Sequence, residues 1–92
     1  MSFFGSTEYS TNSHHLHEPD IRHLASHHKV ASLEDRQEKI VAEAIMAARD
    51  GEHRISMQKI HDVLYHLREQ SLISEHDRSG LMVEFKDFFN RL

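Results

Sequence analysis

The stretch 56–73, SMQKIHDVLYHLREQSLI, constrains the chain most. Met57, Ile60, Leu64 and Leu67 recur at steps of three and four, with Val63 flanking them and Ser71 on the next step. That spacing is the apolar stripe of an amphipathic helix. Ser56 stands where an N-cap is needed, because its hydroxyl can accept from a free amide of the first turn. The segments before and after must then supply helices that cover the stripe.

Residues 32–50, SLEDRQEKIVAEAIMAARD, meet that need. Ile40, Val41, Ala44, Ile45 and Ala48 share one face, and Ala42 and Met46 widen it until Glu43 is the only charge in the run IVAEAIMAA. A helix so apolar is either central to its own domain or shared with a second subunit. Ser32 followed by Asp35 resembles a capping box, and Gly51 is expected to end the helix as a C-cap. Upstream, Pro19 and Asp20 suit the first turn of a short helix over about 19–29, with Ile21, Leu24 and His28 on one face. Residues 51–55 are expected to be a plain connection. Residues 74–92 admit two readings. In one, Ser74 caps a helix whose apolar face is Leu81, Met82, Phe85, Phe88, Phe89 and Leu92, with Gly80 inside it at a cost of roughly 1 kcal/mol relative to Ala. In the other, 74–80 is a loop and the helix starts near Leu81. The first is preferred. The expected fold is therefore all-α: a small bundle of three main helices, about 32–50, 56–71 and 75–91, with the short N-terminal helix beside them.

Ninety-two residues make one small domain. Residues 1–17, MSFFGSTEYSTNSHHLH, lack helical periodicity and are expected to form a flexible His- and Ser-rich arm ahead of a helical domain at 18–92. Phe3 and Phe4 are two adjacent aromatic side chains in it, candidates for docking on the domain or on a partner. The start has no basic n-region, no apolar run is long enough to span a membrane, and cysteine is absent. A cytoplasmic protein without membrane contact is the expectation. The formal charge of −4 argues against general nucleic-acid binding, which needs a basic surplus.

Ten histidines in so short a chain raise the main chemical question. His23 and His27 are four apart and would share a face of a helix, a spacing that can hold Zn, Ni or Cu. His14, His15 and His17 on the arm could add ligands. The same imidazoles would charge together as pH falls towards 6 and turn the net charge positive. His61 and Tyr65 are four apart on the central helix and can touch. No nucleophile elbow, Gly-rich phosphate loop or HExxH is present, so no catalytic role is expected. The segments near Gly51 and Gly80 echo calcium-binding loops, but without the alternating oxygen ligands calcium requires.

Residues 56–80 resemble the end of a winged helix: Ser56, Ile60, Leu64 and Leu67, then Leu72-Ile73, then His76-Asp77-Arg78-Ser79-Gly80. The resemblance covers about a quarter of the chain and implies a recognition helix followed by a basic wing, with Lys59, His61 and Arg68 facing phosphates or bases. The leading expectation is different. A core this small is marginal once chain entropy is subtracted, and association would bury more apolar surface. The chain is thus expected to be a small helical regulatory or adaptor protein that binds another protein and self-associates through Ile40, Val41, Ile45, Met46, Phe85, Phe88 and Phe89. The alternatives are a His-rich metal- or pH-responsive module and a DNA-binding regulator of winged-helix type.

Overall fold

A computed structural model describes residues 9–92. The order of elements is β1 (Ser13–His15), α1 (Glu18–Leu24), α2 (Asp35–Ala48), β2 (Arg54–Ser56), α3 (Met57–Glu69) and α4 (Glu75–Asn90). Among the described residues the chain is mostly helical, with three long helices, the shorter α1 where a short N-terminal helix is expected, and a small two-stranded sheet where no strand is expected. Along the chain, α1 packs on α2, α2 on α3 and α3 on α4, and α4 returns to α1.

The stripe of α3 is buried as its spacing demands: Met57, Ile60, Leu64 and Leu67 all lie in the core. Ser56 caps the helix, its Oγ accepting from Lys59 N at 3.1 Å. The other end closes on Ser71, whose φ of 61° is left-handed. Ser71 N donates to Arg68 O at 2.9 Å and Leu72 N to Leu67 O at 3.0 Å, which is the Schellman pattern of bonds.

The first reading of 74–92 is the observed one. Ser74 and Asp77 form a capping box: Asp77 N donates to Ser74 Oγ and Ser74 N to Asp77 Oδ2, each at 3.0 Å. Gly80 lies within α4 against Val30 of the α1–α2 loop: a Cβ there would sit 3.1 Å from Val30 Cγ1, a tight contact.

Three local expectations fail. Ser32 does not cap α2; Glu34 holds the cap position, and its N donates to Gln37 Oε1 at 2.9 Å. Ser32 instead donates its hydroxyl to Asp77 Oδ1, tying the α1–α2 loop to the start of α4. Gly51 is not a left-handed C-cap either. α2 ends at Ala48 with Arg49 extended, and the left-handed residue of the following turn is His53, at φ 62°. Asp50 builds that turn: its Oδ1 accepts from Glu52 N at 2.8 Å and Arg54 N at 3.0 Å. Finally, the connection is not featureless, because Arg54–Ser56 is strand β2.

The partner of β2 corrects the picture of a loose arm for its described part, residues 9–17; residues 1–8 lie outside the described residues. Ser13, His14 and His15 pair antiparallel with Ser56, Ile55 and Arg54. Leu16, immediately after, is 0 % exposed and among the largest side chains of the core. Arg49 Nη1 donates to Leu16 O at 2.9 Å and Arg54 Nη2 to Ser13 O at 2.7 Å, so two arginines hold carbonyls of the segment 13–16. Gln58 extends the attachment, its N donating to Ser10 O at 3.0 Å and its Oε1 accepting from Tyr9 N at 2.8 Å. Phe3 and Phe4 lie outside the described residues.

Candidate functional site

α1 is shorter than its sequence pattern, and this decides where the histidines go. The helix ends at Leu24; Ser26 Oγ then donates to His23 O at 2.7 Å, and the amides of Lys29 and Val30 both turn back to Ser26 O. His23 is therefore the last-turn residue of a helix, while His27 sits in the turn beyond it. The two do not share a helical face, so the four-residue spacing does not place them as joint ligands.

The other imidazoles also scatter. His14 reaches α4, its ring 5.2 Å from that of Phe89. His15 and His17 stack on each other at 6.0 Å between centroids. His23 lines a cleft between α1 and α4 with Asp20, Leu24, Lys29, Phe88, Arg91 and Leu92. His27 meets a carboxylate of α2: its Nδ1 lies 2.7 Å from Glu38 Oε2, and its backbone N donates to the same oxygen at 2.6 Å. These two bonds from His27 hold the Glu38 carboxyl below the usual carboxylate range. Asp35, one turn earlier on α2, completes a group whose donor atoms all lie within 4.8 Å of one another. Asp35 and Glu38 were not readable as neighbours of His27, because the contact spans eleven positions and depends on the turn at Ser26.

The side chains expected to face nucleic acid are placed differently. Residues 75–90 continue as helix, so no returning wing strand follows α3 among the described residues. His61 lies between Tyr9 and Tyr65, at 5.1 and 6.0 Å between ring centroids. Arg68 stacks over Tyr65 at 4.9 Å and is held by Glu69 at 3.0 Å, with Glu75 Oε1 3.2 Å from its Nε. Of the three, only Lys59 is exposed. The result is an aromatic row in which Arg68 is paired with acids, beside the exposed Lys59.

The residues expected to form a partner surface divide by depth. Val41, Ile45 and Phe85 are wholly buried in the monomer and cannot contribute to an interface without unfolding it. Ile40, Met46, Phe88 and Phe89 are partly buried against the core. The inward stripe of α4 runs past the part of the body that covers it. Phe85 is 0 % exposed, Phe88 and Phe89 are half-buried, and Leu92 is 66 % exposed. The cleft there, about 330 Å³, is lined by apolar Leu24, Phe88 and Leu92 and by charges of both signs. No helix among the described residues is long and apolar enough to cross a membrane.

No protein-family model, no curated protein and no solved structure matches this chain.

Proposed function

We propose that the chain is a non-catalytic regulatory or adaptor protein that acts by binding another protein, and that it pairs with a second copy of itself through the α1–α4 end. The observation that carries this reading is the passage of one apolar stripe from buried Phe85 through Phe88 and Phe89 to exposed Leu92, beside the cleft that Leu24 lines. Apolar surface of this kind, rimmed by polar groups, marks an interaction site. The cleft suits a second copy. Asp20 lines it together with Lys29 and Arg91, so the cleft carries both signs of charge. In a two-fold interface each residue meets its complement twice, so a patch carrying both signs is complementary to itself.

Size-exclusion chromatography with light scattering tests the proposal. The expected result is a dimer at high micromolar concentration, shifted to monomer by Leu92→Glu, an exposed change that leaves the core intact. A strict monomer in the wild type overturns it.

A further inference from the structure

We infer that His27, Asp35 and Glu38 form a binding site for one divalent transition-metal cation of the zinc class. The site lies between the α1–α2 turn and the first turn of α2, apart from the α1–α4 cleft. Each residue offers one donor atom, a ring nitrogen of His27 and a carboxylate oxygen from each acid, and the three atoms already lie within 4.8 Å of one another. Zinc takes imidazole nitrogen and carboxylate oxygen at about 2.0–2.2 Å, so ligand atoms around it stand roughly 3 Å apart. The His27–Glu38 pair, at 2.7 Å, has only to open slightly.

The charge balance fits a cation. The N-terminus of a helix carries about half a positive charge, so a cation site there needs anionic ligands to outweigh it. Asp35 and Glu38 supply two. Arg22 and Lys39 also line the adjoining cleft, and the Arg22 guanidinium is paired with Glu18 at 2.8 Å. The cleft, about 260 Å³, leaves room for water in the positions that the protein does not fill, as in zinc sites with three protein ligands. Imidazole with carboxylate favours zinc, nickel or cobalt over calcium, which asks for oxygen alone. The arm histidines are not part of the site.

Titration calorimetry of the full chain with Zn²⁺ tests this, comparing the wild type with His27→Gln, Glu38→Gln and a His14→Ala/His15→Ala/His17→Ala triple variant. Glu38→Gln keeps an oxygen to accept from His27 N, so the turn survives; circular dichroism checks that each variant is folded. One zinc per chain is expected, at least tenfold weaker in His27→Gln and Glu38→Gln and unchanged in the triple variant. Wild-type affinity in both single variants, or loss confined to the triple variant, overturns the inference.

Discussion

Asp77 is the residue on which most depends locally. Only 2 % exposed, it closes the capping box of α4 and accepts from Ser32 across the molecule. Burial, the largest influence on its carboxyl, pushes its pKa up. The bonds from Ser32 and Ser74, with His76 nearby, outweigh that and hold it below the ordinary value. A carboxylate depressed in this way adds stability above its unfolded pKa, and the contribution disappears as pH falls through the lower folded value. Acid denaturation of the wild type should therefore include a step below about pH 4 that is missing in Asp77→Asn. Asp77→Ala, which loses the cap and strands Ser32, should cost on the order of 2 kcal/mol in urea melts. Gly80 makes a second residue-scale test. Alanine there should improve helix propensity, but Val30 stands in the way. Gly80→Ala should thus be more favourable in a Val30→Ala background than in the wild type, a coupling that a double-mutant cycle measures.

At the scale of elements, α3 carries its own start and stop. Ser56 begins it and Ser71 ends it, and Ser71 occupies a left-handed position that costs a residue with a Cβ roughly 1 kcal/mol. Ser71→Gly should raise stability by about that amount, read as a higher denaturation midpoint at unchanged slope. β1 makes the opposite case. Three residues of strand have little intrinsic stability, and this one persists because Leu16 is sunk in the core and Arg49 and Arg54 hold carbonyls of the segment 13–16. Leu16→Ala should destabilise the whole protein by 2–5 kcal/mol, a magnitude outside the reach of a solvated leader. Thermal melts of that single variant decide between the two pictures of the segment.

Across the whole molecule, three non-local ties join what the helices leave separate. β1 on β2 brings residues 13–16 to the start of α3; Ser32 on Asp77 fastens the α1–α2 loop to α4; His27 on Glu38 folds the same loop onto α2. With these in place the core is continuous from Leu16 to Phe85, while Leu92 at the end of α4 stays exposed. Amide exchange should show the same arrangement. Leu16 N, which donates to His53 O at 3.0 Å, should be protected to nearly the degree of the α3 core amides. Exchange at the rate of an exposed leader would contradict the closed fold.

The helical periodicity of 40–48, 56–67 and 81–92 is a property of residue spacing, so the three long helices and their inward faces follow from the chain itself. Ser56 and Ser74 are equally local, because a cap is satisfied within its own first turn. Tertiary structure alone decided the rest. Whether SHH at 13–15 is arm or strand depends on the edge of β2 some forty positions away, and Leu16 is one apolar residue with no periodic partner to announce it. Ser32 is a competent cap that found a better acceptor in Asp77. The histidines were visible as a cluster in sequence, but the turn at Ser26 separates them in space and gives one of them, His27, to the carboxylates of α2. Local patterns report what a segment does with its neighbours; the ligand set, the strand pairing and the exposure of Leu92 depend on distances that arise only when distant segments meet.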